Sequence, residues 1–241
     1  GKVAMITGAS VGIGRAVALQ MAEKGAKLVL LDINKETLAN VQEELKAYHT
    51  EVMAFVCDVS DEKAVNTAVQ SATDKFGRID ILVNNAAIWR VTNLFWKNSI
   101  ETWRKLLDVN VMGVVYCTNA VLPKMMENGY GRIINVASVA GVYGNANMSV
   151  YSTTKGALIS MTKALAKEVV EKGILVNSVS PGTVSPSEQL DVTYTQENAR
   201  CYATRTGSCA ENADLICFLA SEKNGYIVGQ NIQIDGCRKM I

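Results

Sequence analysis

The sequence predicts one α/β domain spanning residues 1–241, a doubly wound sheet of about seven parallel strands with helices on both faces. Three observations lead there. Short runs rich in Val, Ile and Leu alternate with amphipathic helical patterns over almost the whole length, and continuously apolar strands between helices are what a sheet covered on both faces requires. A turn bearing three glycines separates the first apolar run from the first helical pattern. No Pro/Gly-rich linker, low-complexity tract or internal repeat divides the chain.

The elements follow in order. The run "VAMIT" precedes a helix from Gly14 to Lys24, and "AKLVLLD" precedes a helix through about Ala47. "EVMAFVCD" is followed by the helical "EKAVNTAVQSATDKFG", and "IDILVNNAA" by a long helical segment ending near Glu127. "GRIINVAS" leads through "VAGVYGNANMSV" into the helix "YSTTKGALISMTKALAKEVVEKG"; "ILVNSVSPG" and "NIQIDG" complete the strands. Residues 183–204 break the alternation. They are polar, carry Pro186 and follow a strand, and at that length they read as a lid over a site.

Charge excludes some partners. With 24 basic and 23 acidic residues the net charge is +1, and no Lys/Arg run exists to gather nucleic acid or an anionic membrane. No stretch reads as long enough and charge-free enough to cross a bilayer, and the start resembles a strand rather than a signal peptide. The six cysteines are scattered without a C-x-x-C pair, and they read as reduced, mostly packed thiols. The single His49, in a polar helix tail, is a solvated residue and no metal site is expected. The expected location is cytoplasmic.

Glycine costs backbone entropy and packs nothing, so three of them between a strand and a helix need a reason. At the carboxyl end of a parallel strand, a helix start offers unpaired N–H groups and the positive end of its dipole to a pyrophosphate. Gly8, Gly12 and Gly14 let phosphate and helix approach the bare turn, with Ser10 and Ile13 beside them. Eighteen residues after Gly14, Asp32 ends "LVLLD", where a carboxylate accepts from both ribose hydroxyls and repels a 2′-phosphate. Val11 and Ile33 offer no cation to offset that, so the cofactor predicted is NAD. Asp58, ending the third strand, is placed for the adenine amino group with Val59 as a backbone contact; Asp58 reads equally well as a helix cap.

The chemistry concentrates on one helix. Tyr151 and Lys155 stand four apart on one helical face, Cβ atoms ~5–6 Å apart. A phenol with a pKa of about 10 is a poor base at neutral pH, and bringing it near 7 takes about 4 kcal/mol of differential stabilisation. An adjacent ammonium and an oxidised nicotinamide both act in that direction, and Lys155 also reaches the nicotinamide ribose. Ser138 ends a strand thirteen residues before Tyr151, placed to hold a substrate oxygen. Asn110 falls in a buried-looking helix, where its amide must be satisfied; one way is a water that reaches Lys155.

At this point the chain resembles the short-chain dehydrogenase/reductase family, in its 3-oxoacyl-carrier-protein reductase-like branch, over essentially residues 2–236. The matching motifs are T-G-x-x-x-G-x-G (Thr7, Gly8, Gly12, Gly14), D-V (Asp58, Val59), N-N-A (Asn84, Asn85, Ala86), Asn110, Ser138, Y-x-x-x-K (Tyr151, Lys155) and P-G (Pro181, Gly182). The resemblance implies a Rossmann domain, usually in a homotetramer, that transfers hydride between nicotinamide and a carbinol or carbonyl carbon. It implies that Asn84 stabilises the central strands, that Asn85, Ala86, Pro181, Gly182 and Val184 line the cofactor, and that Asn110, Ser138, Tyr151 and Lys155 are catalytic. The chain departs from the family in several places. Val11 stands where the fatty-acid reductases usually carry a basic residue, which fits their use of NADPH. N-N-A-A with Ala87 replaces N-N-A-G, Pro186 holds the usual Thr position with Ser185 or Ser187 as substitutes, Cys209 replaces a proline, and "DGC" at Cys237 replaces "DGG".

The expected activity is NAD-dependent oxidation of a secondary alcohol, or the reverse ketone reduction. The alternatives are a 3-oxoacyl-thioester reductase and a non-catalytic nucleotide-binding scaffold. The substrate wall is expected from residues 140–147, 87–92 and the lid. Ala140, Val142, Tyr143, Trp89, Tyr194 and Tyr202 supply apolar surface, and Asn145, Asn147 and Arg90 polar anchors. That mixture suits a ring-bearing or medium-sized alcohol, with an acidic group if Arg90 is an anchor rather than a surface residue.

Overall fold

A computed structural model of the chain describes residues 1–89, 91–185 and 200–239. Seven strands form one sheet: β1 (Val3–Thr7), β2 (Lys27–Asp32), β3 (Val52–Val56), β4 (Ile81–Asn84), β5 (Gly131–Val136), β6 (Ile174–Pro181) and β7 (Asn231–Ile234). All neighbours pair in parallel, in the order β3-β2-β1-β4-β5-β6-β7. The winding therefore reverses between β1 and β4, and the carboxyl ends of those strands open the crevice where doubly wound sheets bind ligands. The Rossmann-type sheet that the sequence predicts is the one observed.

Alternation along each strand divides the core. Ala4 and Ile6 of β1, Leu28 and Leu30 of β2 and Ile134 of β5 face α1 (Gly12–Glu23), α2 (Lys35–Leu45) and a later helix, Cys209–Ala220. Val3 and Met5, Val29 and Leu31, and Ile133 face the opposite way. They meet α3 (Glu62–Phe76), the helix Gly113–Asn128 and the long helix Ser149–Val169. A one-residue slip of any central strand would exchange these two faces, which fixes the register.

Between β4 and β5 the chain places polar groups in the core. Asn84 and Asn135 are register partners, both buried, and the Asn84 amide donates to Asn135 Oδ1 at 2.9 Å and to Thr118 at 3.3 Å; Asn135 donates in turn to Thr162 at 2.9 Å. This ladder ties the two strands to the helices on that face, in keeping with the central-strand role expected of Asn84.

The expectation that no stretch is long and apolar enough to span a bilayer needs correction. α4 (Ile100–Leu107), a π-helical turn at Asp108–Met112 and α5 (Gly113–Asn128) form one continuous helical run. Its Ile100–Glu127 portion reaches a mean hydropathy of 1.3 over an 18-residue window. The apolar character comes from packing: Cys117, Val121 and Met125 of α5 are buried against the sheet. The remaining helices are α6 (Val139–Tyr143), α7 (Ser149–Val169) and α8 (Cys209–Ala220).

The cysteines are all free; Cys57, Cys117 and Cys217 are buried, Cys201 and Cys209 partly so, and Cys237 is exposed. His49 is exposed, as expected, and caps its helix tail in a left-handed conformation. The glycine turn is sterically committed. A Cβ on Gly14 would lie 2.0 Å from the Gly8 carbonyl oxygen, so nothing but glycine fits without moving backbone. Gly14→Ala is therefore expected to destabilise the protein by about 2 kcal/mol or more, read by urea unfolding; a loss within experimental error would show that the turn gives way.

Candidate active site

The turn after β1 is shaped by its neighbours before any ligand arrives. The Thr7 hydroxyl accepts from the Asn85 and Ala86 amides, each at 3.0 Å, and the Asn85 side chain donates to the Thr7 and Gly8 carbonyls, each at 3.0 Å. The ends of β1 and β4 are thus clasped across the switch point. The Asn85 amide nitrogen is occupied holding the turn, which makes Asn85 a support for the turn. Gly12 has φ +58° and open space where its Cβ would be.

The start of α1 is left bare. α2, α3, α4 and α8 each carry a side-chain cap and an acidic residue in the first turn, whereas α1 has neither. Among the described residues no side chain caps its first N–H groups and no acidic residue stands in its first turn, which fits a pyrophosphate. At the end of β2, Asp32 is buried and its two carboxylate oxygens accept from the Ser10 amide at 3.0 Å and the Asn34 amide at 2.9 Å. The Ser10 hydroxyl accepts from Thr37 at 2.8 Å. Ser10 therefore serves the site by aiming Asp32. Val11 and Ile33 are 59% and 68% exposed, so an apolar, uncharged rim flanks the carboxylate where the adenosine ribose is expected.

Asp58 is exposed and its Oδ1 is held by the Ser60 amide at 2.9 Å and hydroxyl at 2.7 Å. The cap of α3 is Asp61, which settles the helix-cap alternative for Asp58 in the negative. Val59 is buried with its side chain against Gly113, where a Cβ would come within 2.8 Å of it. Pro181 ends β6, Gly182 follows it, and Val184 pairs with Gly207 beyond. A dinucleotide fits this floor: a bare helix start, an open glycine and an aimed carboxylate lie along one crevice.

Ser138 follows β5 and caps α6, its hydroxyl accepting from the Ala140 amide at 3.1 Å. α6 lies tight on α7 at Gly141, where a Cβ would stand 2.5 Å from the Lys155 carbonyl carbon and 2.6 Å from the Gly156 nitrogen. That contact sets the spacing between Ser138 and the α7 residues Tyr151 and Lys155. The Lys155 ammonium, 2% exposed as a residue, donates to the Val136 carbonyl at the end of β5 at 2.6 Å.

Asn110 is wholly buried in the π-helical turn. Its Oδ1 accepts from the Ile88 amide at 2.8 Å, and its nitrogen donates to the Ile88 carbonyl at 3.0 Å and to Thr154 at 3.1 Å. The amide hydrogens expected for a water are taken by protein. Asn110 thus joins the segment after β4 to the first turns of α7, with Thr154 also donating to the Tyr151 carbonyl at 2.8 Å. Thr154 and Gly141 are missed by reading the sequence: both act through contacts that spacing along the chain does not reveal.

The residues expected at the substrate wall differ in exposure and engagement. Val142 and Tyr143 are exposed, and the Tyr143 hydroxyl donates to Gln233 at 2.6 Å. Ala140 is 2% exposed and supports Ser138 through its amide rather than offering surface. Asn145 is engaged: its Oδ1 accepts from Arg238 at 2.8 Å. Asn147 anchors the facing loop, its carbonyl accepting from the Asn93 amide at 2.7 Å, while Trp89 and Tyr202 are exposed. Arg90, Pro186, Ser187, Tyr194 and most of the lid lie outside the described residues; Ser185 is buried. Cys237 has φ +61°, which accounts for the glycine usual at that place.

A family model described as short chain dehydrogenase matches residues 2–198. The chain is 36% identical over 245 residues to the 2-dehydro-3-deoxy-L-rhamnonate dehydrogenase (NAD(+)) of Sphingomonas sp., covering 99% of this chain and 95% of that one. It is 39% identical over 239 residues to a 3-oxoacyl-(acyl-carrier-protein) reductase of Thermotoga maritima, covering 98% and 97%. Among solved structures, an NAD+-bound xylitol dehydrogenase matches with a TM-score of 0.90 at 32% identity, covering 98% of each chain. A levodione reductase matches with a TM-score of 0.90 at 33% identity, covering 98% and 96%.

The proton chemistry of the central pair is set by burial. Burial raises the Tyr151 phenol above its ordinary value of 10.0, and a hydrogen bond with Ser138 works the other way. Burial also lowers Lys155 from 10.5 to about 8. The ammonium lies 5.8 Å from the Tyr151 ring centroid, and its attraction does not offset the phenol's burial. Without a further positive group, the protein favours a neutral phenol.

Lys155 gives a stability signature. Below about pH 8 folded and unfolded chains both hold its proton, and the buried charge weighs against the fold. Between about 8 and 10.5 the folded chain releases that proton first, so stability rises with pH. The unfolding free energy of wild type relative to Lys155→Met is expected to increase by up to about 3 kcal/mol across that interval. Denaturant titrations at several pH values check this, and a flat difference would contradict the burial of an ammonium here.

Proposed function

The chain belongs to the short-chain dehydrogenase/reductase family, and from that premise we propose that it transfers hydride between NAD(H) and a secondary alcohol or its ketone. The observation that carries the reading is the meeting of Ser138, Tyr151 and Lys155 beside the crevice, around a phenol that needs only added positive charge to become a base. Bound NAD+ supplies the hydride acceptor and that positive charge.

The chain's own residues do the rest. The bare start of α1 holds the pyrophosphate and Asp32 accepts from the adenosine ribose. Ser138 donates to the substrate oxygen and keeps it against the phenol. Tyr151 removes the hydroxyl proton on oxidation and returns it on reduction. Lys155 holds the nicotinamide ribose and adds positive charge near the phenolate. Asn110, through Ile88 and Thr154, keeps the site's two walls and α7 in register.

Support for NAD comes from the uncharged rim at Val11 and Ile33, and from relatives whose names include NAD(+) and NAD+. The substrate is a ring-bearing or medium-sized alcohol; the names of relatives include a sugar acid and a polyol. A 3-oxoacyl-thioester reductase is the second reading, favoured by the Thermotoga relative, and NADPH-driven reduction of acetoacetyl thioesters would select it. A homotetramer belongs to the same proposal, with exposed Phe95, Trp96 and Ile100 as apolar surface to cover. Light scattering tests it.

Tyr151→Phe is expected to keep NADH binding and lose about 100-fold to 10,000-fold in turnover of whichever alcohol in a broad panel is oxidised; normal turnover would end the proposal. Asp32→Ala is expected to weaken NAD+ binding roughly 10-fold or more and to relax discrimination against NADP+. A wild-type preference for NADP+ in the same titration would overturn the assignment of Asp32.

A further inference from the structure

We propose that Arg238 recognises a carboxylate on the substrate, so that the alcohol oxidised is a hydroxy acid of sugar-acid type. The inference rests on the dehydrogenase reading above and adds the substrate's chemical class to it.

Arg238 is held in place beyond β7 by a short antiparallel ribbon. Tyr202 N donates to the Cys237 carbonyl at 2.9 Å, Ala203 N to the Gly236 carbonyl at 3.0 Å, and Lys239 N to the Arg200 carbonyl at 2.9 Å. Cys201 faces Arg238 across this ribbon. The preceding Cys237, at φ +61°, holds a conformation that costs a side chain about 1 kcal/mol, so the turn is maintained against strain.

The guanidinium Nη2 donates to Asn145 Oδ1 at 2.8 Å. Asn145 lies in the loop joining α6, which Ser138 caps, to α7, which carries Tyr151. The anchor is a neutral amide: it fixes the fork and leaves its charge and its remaining donors for another group.

Arg238 lines a cavity of about 300 Å³ that reaches Gly182 and Thr183 just beyond the end of β6. Among the described residues its charged lining is Arg200, Arg205 and Arg238 against Glu211 and Asp235. Arg205 is neutralised by Glu211, with nitrogen–oxygen distances of 3.0 and 2.6 Å, and Asp235 Oδ1 accepts from the Cys237 amide at 3.0 Å. Among the described lining residues one positive charge is left over, and the Arg238 guanidinium offers a planar donor fork that matches a carboxylate. The cavity is at the small end of ligand sites, the size for a short-chain acid.

The test uses matched pairs that differ in one carboxylate: xylonate with xylitol, gluconate with glucitol, and rhamnonate with rhamnitol. NAD+ reduction and calorimetric binding to the NADH complex are measured for wild type, Arg238→Met and Arg238→Lys, with NADH affinity as the check on folding. Wild type is expected to prefer the acid roughly 10-fold or more in at least one pair, in kcat/KM and in binding. The ratio should fall to near one in Arg238→Met and be partly kept in Arg238→Lys. Equal handling of acid and polyol by wild type, an equal loss on both in Arg238→Met, or tighter binding of the corresponding sugar phosphates would overturn it. If no member of any pair is oxidised although NADH binds, the dehydrogenase reading fails for these compounds. The binding ratio then decides the role of Arg238 by the same criteria.

Discussion

A buried ammonium bonded to the end of a β-strand is the interaction around which the active face is arranged. Lys155 donates a hydrogen bond to the Val136 carbonyl at 2.6 Å, in surroundings that lower its pKa to about 8. Holding a charge there is unfavourable, and much of the nearby packing keeps it there. Gly141 lets α6 close onto α7 at Lys155. Asn110 and Thr154 fasten the first turns of α7 to the segment after β4. Ser138 rides on the same contact, so the spacing of phenol, amine and hydroxyl is set by the packing beneath them as well as by the Ser138–Tyr151 hydrogen bond.

The same logic governs the cofactor floor. The bonds that shape it are made within the protein: Thr7 and Asn85 clasp β1 to β4, and Ser10 and Asn34 aim the Asp32 carboxylate. Preorganised acceptors and donors need no rearrangement when a ligand arrives. What is left open is selective. The start of α1 has no cap while four other helices are capped with acidic first turns. On the proposed reading, affinity for an anion would follow from that omission as much as from the glycines.

The fold was largely legible because a sheet covered on both faces writes itself as continuous apolar runs, and the turn after β1 because only glycine tolerates a neighbour's carbonyl at 2.0 Å. The order of Ser138, Tyr151 and Lys155 was legible through strand ends and helix spacing. The partners of those residues were not. Asn110 gave a buried amide, yet its bonds run to Ile88 and Thr154, which lie 22 and 44 residues away. Asn145 read as a substrate anchor and meets Arg238, 93 residues on. The Ile100–Glu127 helix hid its apolar length behind scattered charges and a π-helical turn. Spacing along the chain reports neighbours on one element; it carries nothing about which distant element supplies the second half of a hydrogen bond.

Direct titration of the phenol is the most decisive measurement. Phenolate absorbance of wild type minus Tyr151→Phe, followed against pH with and without saturating NAD+, isolates the one ring that matters. Burial should hold the Tyr151 ionisation above the ordinary phenol value of 10.0 in the free protein, and bound NAD+ should move it down. An ionisation unchanged by NAD+, or one already near neutral without it, would contradict the claim that protein and cofactor together make the base.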